Sequence, residues 1–228
     1  MGKLFDIRLV FEYAPIILSK FHMTLLIVLI SVAAGTLLGL IIAALRIHKV
    51  PIFQQAAIIY VSFMRGTTII IQLFIVYYGL PLFLNLLDIN INRWDALYFV
   101  LVTYSLNNAA FMSEIIRSAI VSVPAGQTEA AYSIGLNRWQ TLMRIVLPQA
   151  VFIAFPSFGT RLINALESTS LAFTLGIIDM MGQVEAIGSR TYHVLEGYTV
   201  VAAVFVVISL LMEKGFSLAE KRFILGRR

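Results

Sequence analysis

The chain has 228 residues, 60% of them hydrophobic and 13% charged. Soluble domains carry about 25% charged residues, so this balance excludes an ordinary soluble globule and points to the bilayer. The net charge of +5 then reflects orientation in a membrane and not a nucleic-acid surface, and the absence of cysteine excludes a disulfide framework and a thiolate metal site.

A polar, amphipathic lead (KLFDIRLVFEYAPIILSK) opens the chain. The uncharged run that follows, at about 24–45, is too long for the core of a cleavable signal peptide and is predicted to be a first span. Further spans are predicted at about 60–87, 96–117, 149–172 and 195–213. About 20 mainly apolar residues cross hydrocarbon roughly 30 Å thick, which makes five helices in one transmembrane domain covering residues 1–228. Arg161 and Glu167 interrupt the fourth. Gly35 and Gly39 form a GxxxG in the first, which permits close packing but is a common spacing.

Residues 118–148, between the third and fourth spans, are too many for a plain connector. Pro124 and Gly126 punctuate the chain, and Gln127 or Thr128 is placed to cap a short helix through Glu129, Ala130 and Ala131. The Glu129 carboxylate would then sit in the first turn, where the helix dipole favours an anion. Gly135 suits the left-handed residue that ends a helix. Asn137 can cap a second, amphipathic helix (RWQTLMRIV), with Pro148 marking its end or a kink. A DNA-reading helix-turn-helix would look similar, but the tether between spans and the low basic charge argue against it.

Five spans place the termini on opposite sides. With the N-terminus outside, the inner side holds Arg46, Lys49, Arg117, Arg138, Arg144, Lys214, Lys221, Arg222, Arg227 and Arg228, whereas the outer side holds only Lys3, Arg8, Lys20, Arg93 and Arg190. Basic residues concentrate in cytoplasmic loops, so the N-terminus is expected outside and the C-terminus and hairpin in the cytoplasm. The outer segment from Gly176 to Glu196 is long enough to be a partly helical gate or cap.

The hairpin carries a specific pattern. Glu129-Ala130-Ala131, then Gly135, then Ile145, Leu147 and Pro148 stand at the spacing E-A-A, three residues, G, nine residues, I-x-L-P. This resembles the EAA loop of ATP-binding-cassette importer permeases, where the loop is the coupling helix that docks in a groove of the cytoplasmic ATPase subunit. Arg65-Gly66-Thr67 and the following QLFIVYYGLP are similar to the second span of the polar amino acid permease subfamily, with Thr68 in place of its usual proline. Leu106-Asn107-Asn108-Ala109-Ala110-Phe111 with Glu114 and Arg117 resembles the third span, and Ser168-Thr169-Ser170-Leu171 the fourth, with Glu167 where lysine is common. The resemblance covers most of the chain. It implies an all-α, type I importer permease in a bacterial inner membrane, working as a dimer with itself or a close relative. It also implies an extracytoplasmic substrate-binding protein and separate ATPase subunits that hold ATP and magnesium. Ser189-Arg190-Thr191 and the overall likeness point to the cystine-type branch.

The remaining residues agree with a transport subunit that is no enzyme and binds no cofactor or metal. The only Gly-Lys pair, Gly2-Lys3, lacks the upstream glycine of a phosphate-binding loop, and His22, His48 and His193 are scattered. Polar groups inside spans are candidates for function. Asn107 lies about 12 residues, roughly 18 Å, below the outer end of the third span, near the midplane. Asn107 and Asn108 can meet the ammonium and carboxylate of an amino acid, or equally bond neighbouring helices. Ser168, Thr169, Ser170 and Arg65 complete the pathway candidates, although Arg65 can also simply anchor its span. Glu114 and Arg117 are three apart and expected to pair. Glu167 has no basic residue three or four positions away, and Arg161 falls on another face, so Glu167 is expected to receive substrate or gate the path. A contact with Arg65 or Arg190 is the alternative. Other functions stay open: a permease for another small solute, a scaffold that binds a cytoplasmic partner, or a channel. Polar residues in three spans argue against the scaffold, and the lack of a charged ring against the channel.

Overall fold

The computed structural model describes residues 5–225, with side chains through Arg222; Gly2, Lys3, Arg227 and Arg228 lie outside the described residues. All regular structure among the described residues is helical. In chain order the helices are α1 (Ile7–Leu18), α2 (Phe21–Ile47), α3 (Phe53–Gly66), α4 (Ile69–Asn85), α5 (Ala96–Val121), α6 (Ala125–Ser133), α7 (Arg138–Leu175), α8 (Met180–Thr191) and α9 (Val194–Leu225). Four of these, α2, α5, α7 and α9, are long and apolar enough to cross a membrane, and the bent pair α3–α4 makes a fifth crossing if it is one span.

The second predicted span is therefore corrected. It is not one helix over 60–87 but two helices meeting at 116°. Thr67 (ψ 151°) and Thr68 (ψ 139°) are both extended, which stops α3 and redirects the chain. Gln72, buried one turn into α4, donates through Nε2 to the carbonyls of Met64 and Thr67 and to Thr67 Oγ1, at 2.9, 3.1 and 2.8 Å. One side chain thus satisfies the acceptors freed by the break, a requirement where no lipid can do so.

The GxxxG spacing is used inside the chain. A Cβ on Gly35 would lie 2.5 Å from Asn108 Cβ and 3.0 Å from the Ala109 nitrogen, and one on Gly39 would lie 2.8 Å from Met112 Cβ. The two glycines let α2 lie against α5 at backbone distance. Residue numbers rise together along this contact, since Ile27 packs with Val100 and Tyr104, and Arg46 pairs with Glu114. The two helices are parallel, as the first and third of five spans must be. The predicted Glu114–Arg117 pair forms, and Arg46 joins it at 2.5 Å.

α7 decides between the two readings of Pro148. The amphipathic helix of the hairpin does not end there; it is the first part of one helix running from Arg138 to Leu175, with an irregular turn at the proline. Residues Leu142–Val146 form a wide π-helical turn just before the proline. Proline has no N–H to donate, and a wide turn at that point lets the helix continue past it. α7 runs antiparallel to α5, with Val146 and Ala150 packed on Ala119 and Val123 at one end, and the Ser168 carbonyl accepting from the Tyr104 hydroxyl at the other. The lead is helical too: Tyr13 and Ile17 of α1 pack on Met180, Val184, Val200 and Val201.

The outer segment is partly helical, as expected. Asp179 is buried and caps α8, accepting from the Gly182 N–H at 2.9 Å. Its second carboxylate oxygen has no partner, and burial pushes its pKa up to about 6.

Candidate functional site

The first site is the hairpin of α6 and the start of α7. α6 begins after Pro124, with no side-chain cap, so neither Gln127 nor Thr128 caps it and Glu129 is the fifth helical residue, beyond the first turn. Pro124 itself stands at the N-cap with extended backbone (φ −57°, ψ 133°), and the helix starts directly after it, earlier than the polar residues suggest. The C-terminal end agrees with the sequence. Gly135 has φ +83° and donates to the Tyr132 carbonyl at 2.9 Å, while Leu136 donates to Ala131 at 3.1 Å. These two bonds define a Schellman turn. Asn137 then forms a reciprocal capping box with Gln140, at 2.9 and 3.0 Å.

Two back-to-back caps make the turn rigid, and burial separates two roles within the motif. Ala131 is buried, and Ile145 and Leu147 are partly buried, so they hold the hairpin to the helix ends; Glu129, Ala130, Gly135 and Pro148 are exposed. Around them stand exposed apolar side chains: Ile134 at 77%, Trp139 at 66% and Tyr132 at 47%. Exposed apolar side chains grouped on a rigid frame are the kind of surface that protein–protein contacts use. Trp139 and Tyr132 carry part of it without belonging to the sequence pattern.

The second site lies within the membrane, and Arg161 organises it. Its Nε donates to Asn108 Oδ1 at 2.9 Å and its Nη2 to Asn107 Oδ1 at 2.6 Å. Asn107 donates in turn to Gln72 Oε1 at 2.9 Å and Asn108 to Ser31 Oγ at 3.3 Å. The network ties α2, α4, α5 and α7 together, and both asparagines serve interhelical bonding. The Arg161 guanidinium lies 4.0 Å from the centroid of the Phe111 ring, and that of Arg65 lies 5.6 Å from the same ring.

Asn107, Asn108 and Arg65 are thus gathered at one place, whereas Glu167, Ser168, Thr169 and Ser170 are not. The three hydroxyls bond carbonyls of their own helix. Glu167 is exposed and accepts a long bond, 3.4 Å, from Ser209 of α9. No ion pair involves it among the described residues. Exposed Ser157, Thr160, Asn164 and Glu167 follow one another at intervals of three and four along α7. They form one polar stripe on a membrane helix, a face that needs water or polar partners. The 3–4 spacing was legible in the sequence; the role of Arg161, Gln72 and Ser31 was not, because their partners come from other helices.

The model of binding-protein-dependent transport system inner membrane components matches residues 35–223. The chain is 44% identical over 222 residues to the L-cystine transport system permease protein TcyL of Bacillus subtilis, covering 97% of this chain and 93% of that one. It is 36% identical to the probable amino-acid ABC transporter permease protein YckA of the same organism, over 96% of this chain and 94% of the relative. Among solved structures, an amino acid ABC transporter crystallised with histidines aligns with TM-score 0.86 and 31% identity over 96% of this chain and 99% of the other. A chain of the MetNI methionine transporter, 17% identical, shares the fold with TM-score 0.70 over 90% of this chain and 94% of that one.

Proposed function

The chain belongs to the family of inner membrane components of binding-protein-dependent transport systems, and from that premise we propose that it carries L-cystine or a closely similar polar amino acid across the bacterial inner membrane. It is a multi-pass amino-acid permease subunit with no ATPase of its own, and its partners are an ATP-binding subunit and a substrate-binding protein. In our reading ATP and magnesium are held by that ATPase subunit. The permease pairs with a second copy or a close relative, lipid surrounds the pair, the N-terminus faces outward, and α6 docks the ATPase in the cytoplasm.

The observation that carries this reading is the hairpin: an exposed apolar patch at Tyr132, Ile134 and Trp139 beside Glu129, held by two adjoining caps. The polar stripe on α7, with Glu167 and Arg65, is the natural lining of a path shared with the second permease, since one face of one chain encloses nothing. The choice of cystine rests on the likeness to the L-cystine permease. The test is uptake in proteoliposomes holding permease, ATPase and binding protein. Labelled L-cystine should accumulate only with ATP, and Glu129→Lys should abolish both uptake and substrate-stimulated ATP hydrolysis while the spans stay inserted. Uptake unaffected by this change would reduce the hairpin to a connector.

A further inference from the structure

We infer that Arg161, shelved on Phe111 and oriented by Asn107 and Asn108, is the receptor for the substrate's carboxylate inside the membrane. This deepens the amino-acid reading above and rests on it. The argument starts from a charge without a counter-charge. Arg161 is buried at 9% exposure near the middle of α7, and every side chain bonded to it is a neutral amide. The ion pairs among the described residues join Glu114 to Arg46 and Arg117, and Glu196 to His193; none includes Arg161 or Arg65.

A guanidinium in that position is expensive, because its charge has left water and met no anion. If the only task were to join α5 to α7, a neutral side chain would do so at lower cost. The arrangement instead fixes the guanidinium and leaves part of it free. Nε and Nη2 are spent on the two asparagines, while Nη1 makes no hydrogen bond among the described residues. The Phe111 ring at 4.0 Å holds the plane of the fork. Arg65 approaches the same ring, so two cations meet at one aromatic side chain near the break between α3 and α4. Irregular backbone at membrane depth is tolerated where it borders protein or a watery cavity, and two converging cations in such a place select an anion. A carboxylate fits: planar, singly charged and able to take parallel N–H donors from a guanidinium.

Every amino acid has that group whatever its side chain, so this is a site for the common part of the substrate. The side chain would be sensed elsewhere, for which the exposed stripe ending at Glu167 is available.

The experiment uses the assembled permease–ATPase complex in lipid nanodiscs without binding protein, so that the binding protein's own recognition cannot mask the result. Labelled L-cystine and L-glutamine are titrated by equilibrium dialysis, with L-cystine dimethyl ester as competitor. Arg161→Gln should weaken binding at least tenfold and Arg161→Lys less, and the ester should compete at least tenfold more weakly than the free acid on the wild type. The ester comparison needs no variant, so it decides the matter even if Arg161→Gln does not assemble. An ester that competes as well as the acid, an Arg161→Gln complex that binds like the wild type, or a transporting wild type that holds neither amino acid would each overturn the assignment. A wild type that transports no amino acid in the full system would instead sink the amino-acid reading itself.

Discussion

The hairpin and the Arg161 network are both built from hydrogen-bonded polar residues, yet they are assembled in opposite ways. Every bond that shapes the hairpin turn joins residues no more than five apart, from Ala131 to Gln140. The bonds around Arg161 join residues 35 to 77 positions apart, on four helices. The first is a local device exposed at the surface and can survive movement of the helices around it. The second exists only while α2, α4, α5 and α7 keep their places, so it reports the state of the whole bundle.

The contrast can be broken or sharpened experimentally. The largest effect is expected outside both regions, at Asp179, and serves as a reference. Its pKa is about 6 in the fold against an ordinary 3.8, because burial disfavours its charge. The folded state binds the proton more tightly, so stability is fully present below pH 3.8 and is lost as pH rises through about 6, by on the order of 3 kcal/mol. Hydrogen exchange in residues 180–191 should therefore quicken between pH 4 and 6 after correction for intrinsic rates, and Asp179→Asn should flatten the trend. A flat profile in the wild type would remove Asp179 as its cause.

Next comes Asn108→Leu, which leaves Arg161 short of one acceptor. A lost bond to a buried charge costs about 2–3 kcal/mol, and the network's span across four helices predicts a lower melting temperature for the entire complex. Gly35→Leu should act on the same bundle by about 1–3 kcal/mol, since the added carbon meets the Asn108 Cβ and the backbone of α5 and not the far end of a flexible side chain. At the hairpin, Gly135→Val places a β-branched residue at φ +83° and should cost roughly 1–2 kcal/mol, confined to the loop. Here the readout separates the regions: coupled ATP hydrolysis should fall while the melting temperature barely moves. The smallest effect is Asn137→Ala, about 1 kcal/mol through loss of the cap, seen as faster exchange at residues 138–141. If Gly135→Val and Asn108→Leu shift the melting temperature equally, the two regions are not independent.

The same contrast explains what the sequence disclosed. Gly135 and Asn137 were legible because a left-handed turn and an N-cap are set by near neighbours. The Glu114–Arg117 pair was legible for the same reason. The start of α6 was misjudged because Pro124 outweighed the cap preferences of Gln127 and Thr128. Within the membrane, Asn107 and Asn108 could be recognised as costly residues, but their shared partner Arg161 is 53 and 54 positions away. The break at Thr67 was hidden because both sides of it are apolar enough for one span, and only Gln72 folding back reveals how the chain tolerates it. The orientation expected from basic residues can be checked separately: a cysteine at Asn137 should be shielded from an impermeant reagent in intact cells and one at Asn90 labelled, and the reverse would invert the topology.

One feature joins the two regions mechanically. α7 is unbroken from Arg138 to Leu175, so Trp139 on the exposed patch of the hairpin and Arg161 in the membrane ride on the same rod. Twenty-two residues at 1.5 Å each separate them by about 33 Å. If such a rod pivots near Trp139, a tilt of roughly 10° displaces Arg161 sideways by about 6 Å, more than the length of a hydrogen bond. Stiffness along the rod would convert a small angular push from below into the release of a held anion above, with the wide turn at Leu142–Val146 as its softest point.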